Sequence, residues 1–79
     1  MSNIKVYSTT TCPWCKVAKD YLRSRQVAFD DIDVGLDQAA AAEMIRVSGQ
    51  YGVPVITIGD GVVVGFDQAK IDRLLSQSA

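Results

Sequence analysis

The sequence predicts an α/β fold, a four-stranded mixed sheet flanked by three helices, in one domain spanning 1–79. Three observations carry this. Apolar spacing switches between period two and period three-to-four along the chain, as it does when strands and helices alternate. Cys12-Pro13-Trp14-Cys15 falls where the first alternating run gives way to the first helical one. Late in the chain, Asp60-Gly61 separates two short apolar runs in the manner of a tight hairpin turn.

Taken in order, Ile4 and Val6 alternate with Lys5 and Tyr7, which predicts a first strand over 3–8. Pro13 opens a helix running to about residue 25, whose apolar stripe is Trp14, Val17, Ala18, Tyr21 and Leu22. Residues 27–32 read as a second strand. A helix lies between these strands, so they pair in parallel through a right-handed crossover. Asp37 is placed to cap a second helix over 38–48, with Met44 and Ile45 facing inward and Gly49 as its stop. Pro54 precedes a third strand over 55–58, where a missing N–H is tolerated. The turn at Asp60-Gly61 then returns 62–64 as an antiparallel fourth strand. Asp67 caps a last helix that buries Ile71, Leu74 and Leu75. This order, with a dithiol after the first strand, resembles the thioredoxin fold in its smallest form.

Composition narrows the function. The chain has 79 residues, 48% hydrophobic and 22% charged, with a formal net charge of −1. That is a globular balance, with no electrostatic case for nucleic acid or an anionic membrane. The apolar runs are far shorter than a membrane span. Met1-Ser2-Asn3 leads straight into a strand pattern without a signal peptide, so the expectation is a cytoplasmic monomer.

Two cysteines three apart make a poor staple, because so short a loop removes little unfolded-state entropy. Chemistry is the better reason for them. Pro13 at the first helical position puts Cys12 at the N-cap and Cys15 one turn in, within disulfide range. The unpaired N–H groups and positive end of the helix favour a thiolate at Cys12. Cys12 is therefore the attacking nucleophile and Cys15 the resolving thiol. Lys16 and Lys19 add positive charge nearby or are solvated surface residues. A zinc or iron–sulfur carrier is the alternative. Zinc wants four ligands, and with no histidine or third cysteine only Cys12 and Cys15 pooled across a dimer could supply them. A non-catalytic adaptor is a third reading, against which retention of both thiols weighs. Within one chain no metal site is expected.

The segment Tyr7-Ser8-Thr9-Thr10-Thr11-Cys12-Pro13-Trp14-Cys15-Lys16, with Gly52-Val53-Pro54, resembles the glutaredoxins and glutaredoxin-like redoxins over essentially the whole chain. The resemblance implies a dithiol–disulfide oxidoreductase that reduces protein disulfides or glutathione mixed disulfides, with no bound cofactor and glutathione as a co-substrate. It implies a cis Pro54 beside the dithiol, and a Val53 backbone that meets a bound peptide or glutathione. Trp14 is then either an outward aromatic that touches substrate or part of the helix stripe. Tyr51 either lines the same groove or is an ordinary surface aromatic. In Val64-Gly65-Phe66-Asp67, similar to the family's last loop, Gly65 and Phe66 approach the ligand. Asp67 caps the helix or meets the glutamyl end of glutathione.

The chain also departs from the pattern of glutathione-dependent members. Thr9 stands where a Lys or Arg often precedes the first cysteine by three residues, and Gln50 where some carry Arg. Val64 and Gln68 replace a glycine and a second acid in the last loop, and Gly52 replaces a frequent Thr. Redoxins that serve ribonucleotide reductase share the Gly65-Phe66 pair and take electrons from thioredoxin reductase. The resemblance therefore leaves two electron donors, glutathione or a thioredoxin-reductase-type enzyme.

Overall fold

A computed structural model describes residues 4–77. Its strands are β1 (Ile4–Ser8), β2 (Asp30–Asp33), β3 (Val55–Ile58) and β4 (Gly61–Val64). Its helices are α1 (Pro13–Ser24), α2 (Gln38–Ser48) and α3 (Gln68–Gln77). The sheet order is β2-β1-β3-β4, with β1 parallel to β2 and antiparallel to β3. Asn3, expected in the first strand, and the rest of the Met1-Ser2-Asn3 segment lie outside the described residues.

Strand alternation explains why the sheet carries helices on both faces. Ile4, Val6, Ile56, Ile58 and Val63 point to one face and form a core with Ala18 and Leu22 of α1 and Ile71 of α3. Tyr7 and Val55 point to the other and pack on Met44 of α2, with Ile45 partly buried beside them. Burial of this apolar surface is the main favourable term in folding. The central strands β1 and β3 are accordingly the apolar ones. β2 at the edge is Asp-Asp-Ile-Asp, charges that discourage pairing with another chain.

The second strand starts later than residue 27. α1 ends in a left-handed Gln26 with φ 57°, and Gln26 and Val27 donate their N–H groups back to Arg23 O at 2.9 Å and Leu22 O at 3.2 Å. That closes a Schellman motif and occupies Val27. Val27 and Phe29 still pack on the first core, but pairing with β1 begins only at Lys5↔Asp30. Apolar alternation signalled burial here, and burial preceded the ladder.

The hairpin turn is displaced by one residue as well. Ile58 pairs with Gly61, so the loop is Gly59-Asp60, with the positive φ of 58° at Gly59. Glycine first in a two-residue loop is the type II′ pattern. Gly61 instead makes room for α3: a Cβ there would lie 2.5 Å from Leu74 Cδ2. The second helix keeps its expected bounds. Asp37 Oδ1 accepts the Ala40 N–H at 3.0 Å, and Gly49 ends the helix in the left-handed region.

Candidate functional site

The dithiol sits on the turn that joins β1 to α1. Cys12 has extended backbone angles, φ −100° and ψ 109°, and its sulfur accepts the Cys15 N–H at 3.1 Å. A helix start leaves its first N–H groups without partners, and Cys12 meets one of them with sulfur where Ser or Asp would use oxygen. Pro13 at the first position has no N–H to satisfy. Cys12 is half-buried and Cys15 fully buried, both as free thiols.

The chain returns to the dithiol at the start of β3. The Val53–Pro54 peptide bond is cis, and Val53 O lies 3.8 Å from the Cys12 sulfur, which donates to it. Gly65 closes the arrangement after β4. It takes a positive φ of 76° and donates its N–H to Pro54 O at 2.8 Å, tying the last loop to the cis-proline loop.

Trp14, Val53, Pro54, Gly65 and Phe66 line one shallow groove of about 220 Å³ beside the cysteines. Trp14 is 61% exposed, so it belongs to the groove and not to the buried stripe of α1. Its ring stacks on Phe66 at 6.3 Å between centroids, and Phe66 meets Tyr21 edge-on at 5.7 Å. Tyr21 in turn donates to Asp72 of α3, which also holds Arg25. The groove wall is thus braced from α1 and α3, which was not legible in the sequence beyond the place of Tyr21 on the apolar stripe.

The remaining expected residues fall outside the groove. Asp67 Oδ1 accepts the Lys70 N–H at 3.1 Å, a capping contact. Tyr51 is 81% exposed and does not line the groove. Gln50 bonds within its own loop, from Nε2 to Gly52 O at 3.0 Å and to Ser48 Oγ at 3.3 Å. Lys16 pairs with Asp20 at 3.0 Å and Lys19 with Asp31 at 3.1 Å. A larger hollow of about 500 Å³ lies on the α2 face, lined by Tyr7, Glu43 and Lys5 among others, away from the dithiol.

The two thiols have different surroundings. Burial pushes Cys15 up from 9.0 to about 11, reinforced by its hydrogen bond to Cys12; the Thr9 backbone and Lys19 act the other way. An accessible sulfur beside a protonated, buried one is an arrangement in which the first thiol meets a substrate and the second waits. Among the described residues no group of three or more His, Cys, Asp or Glu is placed to hold a metal ion.

Residues 4–64 match the family model for glutaredoxin. The chain belongs to the glutaredoxin family. Among relatives of this chain, an uncharacterised glutaredoxin-like 8.6 kDa protein in the rubredoxin operon of Clostridium pasteurianum is 49% identical over 94% of this chain and 99% of its own. Glutaredoxin 3 of Escherichia coli is 37% identical over 85% of this chain and 81% of its own. The structure of the Escherichia coli glutaredoxin-like NrdH-redoxin superposes with a TM-score of 0.79 at 32% identity, covering 90% of this chain and 92% of that one. The chain is a thiol–disulfide oxidoreductase with the thioredoxin-like fold of these proteins. Among the described residues no helix is long and apolar enough to cross a membrane.

Proposed function

We propose that Cys12 attacks disulfides in proteins and glutathione mixed disulfides, and that Cys15 resolves the resulting intermediate. The observation that carries this reading is the Cys12 sulfur at the helix N-cap. It sits 3.1 Å from the Cys15 N–H and 3.8 Å from Val53 O, at the edge of an apolar groove. Cys12 sulfur bonds to one substrate sulfur, and the other leaves as a thiol. Cys15 then attacks Cys12, the second substrate thiol departs, and the Cys12–Cys15 disulfide remains. Trp14, Val53, Pro54, Gly65 and Phe66 receive the chain flanking the scissile disulfide. Asp67 caps α3 and orients its N-terminal N–H groups toward a ligand carboxylate. An electron donor restores the dithiol, and no resident cofactor takes part.

For that donor, the reading is that a thioredoxin-reductase-type flavoenzyme serves at least as well as glutathione. Glutathione carries two carboxylates, which favour cationic partners. Thr9 offers no cation, the Gln50 amide is committed to its loop, and Val64 stands 51% exposed beside Gly65. The glutaredoxin-like NrdH-redoxin of Escherichia coli has a thioredoxin-like activity profile, which favours the same reading. The test compares reduction of one disulfide substrate driven by NADPH with glutathione and glutathione reductase, or by NADPH with thioredoxin reductase. Turnover with the second system at least equal to the first is expected. Efficient turnover at low glutathione and none with any thioredoxin reductase would overturn the assignment of donor.

A further inference from the structure

The resolving step poses a problem that the groove does not solve. Cys15 is fully buried, yet it reacts as an anion. Four residues on, along the same face of α1, stands Lys19. Its side chain is only 19% exposed, whereas that of Lys16 is 79% exposed. Lys16 is an ordinary surface cation paired along the helix with Asp20. Lys19 is folded inward and reaches across to the sheet.

What holds it there is an edge-strand carboxylate. Asp31 Oδ2 accepts from Lys19 Nζ at 3.1 Å, and Asp31 Oδ1 accepts the Ser8 hydroxyl at 3.1 Å. Ser8 is 2% exposed and ends β1, four residues before Cys12. Asp31 is paired with Val6 in the ladder, so it shares the α1 face of the sheet. The three residues form a clamp running from the last residue of β1, through β2, to the face of α1 that carries Cys15.

We propose that Lys19, held by Asp31 and Ser8, is a positioning residue for the resolving step: its fixed ammonium stabilises the anion through which Cys15 attacks. The proposal rests on reading Cys15 as the resolving thiol. Lys19 transfers nothing. Cys15 loses its proton to solvent, its sulfur bonds to Cys12, and the Cys12–substrate S–S bond breaks. The departing thiolate takes up a proton, so charge and atoms balance. Burial, and then the Cys12 thiol, raise the cost of ionising Cys15; the Thr9 backbone and, after it, Lys19 act to lower that cost. The other charged groups nearby are engaged elsewhere. Asp33, next on the same face of β2, accepts the Gly35 N–H at 2.8 Å. Asp72 of α3 is taken by Tyr21 and Arg25, further along α1.

The alternative is a clip joining α1 to β2 with no effect on the chemistry. The two are separated by reacting the reduced full-length protein with 5,5′-dithiobis(2-nitrobenzoate). Cys12 releases the first thionitrobenzoate, and Cys15 the second by resolving the mixed disulfide. In Lys19→Gln the second phase is expected to slow about two- to fivefold near neutral pH. Its pH midpoint should rise by about half to one pH unit, the lost thiolate being partly offset by greater nucleophilicity. The first phase should be unchanged and Lys19→Arg should behave as the wild type. Lys19→Met, which keeps the packing of the stem, serves if Lys19→Gln does not fold. An unmoved second-phase pH profile, equal slowing of both phases, or failure of Lys19→Arg to restore the rate would overturn the proposal. Cys15→Ser should lack the second phase. If it keeps that phase, the resolving role of Cys15 fails, and the Lys19 proposal falls with it for a distinguishable reason.

Discussion

The backbone N–H of Cys15 points at the sulfur of Cys12, 3.1 Å away, so the second cysteine holds the first through its amide as well as through its side chain. Replacing the Cys15 side chain leaves the amide contact in place. Cys15→Ser should trap a mixed disulfide at Cys12 with protein substrates and keep some glutathione-dependent turnover, because glutathione can resolve the intermediate. Cys12→Ser should trap nothing and fall to background. Mass spectrometry of the trapped species checks both, and equal residual activity in the two variants would rule out an ordered mechanism.

Burial of Cys15 also sets a pH dependence of stability. Its value in the folded, reduced protein is raised from 9.0 to about 11. As pH rises, the unfolded chain gives up this proton first. The effect is nil below pH 9 and costs stability as pH climbs from 9 toward 11. Tyr7, raised from 10.0 by burial and then by Glu43, adds a loss in the same direction at the upper end. Urea midpoints at about pH 8 and about pH 10.5 should therefore fall more for the reduced wild type than for Cys15→Ala.

Phe66 is held between Trp14 and Tyr21, and this makes the groove wall a separable feature. Phe66→Ala should raise KM for a protein disulfide several-fold and cost about 1–3 kcal/mol of stability, less than a fully buried Phe because this ring is half-buried. Steady-state kinetics with 5,5′-dithiobis(2-nitrobenzoate), which needs no peptide groove, should change little. Equal loss with both substrates would mean that the ring supports the fold and not the substrate.

Gln26 holds a left-handed conformation that glycine adopts without penalty. Gln26→Gly keeps the bonds to Arg23 and Leu22 and removes the Cβ clash, offset by the greater freedom of the unfolded chain. A gain of about 0.5–1 kcal/mol is expected, read as a higher urea midpoint at an unchanged slope.

Thr9→Lys restores a cation three residues before Cys12. A charged hydrogen bond contributes about 1.5–3 kcal/mol, so glutathione-driven kcat/KM should rise by about tenfold or more, with little change in the thioredoxin-reductase assay. No gain with glutathione would show that position 9 does not reach the ligand.

The sequence by itself determined the element order, the helix caps at Cys12, Asp37 and Asp67, and the dithiol between strand and helix. Each depends on residues within a few positions of one another, where propensity and hydrogen bonding to the local backbone decide. It misplaced the start of β2 and the hairpin turn by one to three residues. In both places a partner distant in sequence decides: β1 pairs with β2 only from Asp30, and Leu74 of α3 takes the room that Gly61 leaves. The groove residues were legible singly, through the resemblance. That Trp14, Val53, Pro54, Gly65 and Phe66 share one hollow was settled only when α1, β3 and the loop after β4 came together. The Lys19–Asp31–Ser8 clamp lay hidden in the same way. Lys19 reads as one more helix-surface lysine until β2 brings a carboxylate across to it, because burial and charge pairing are properties of neighbours in space.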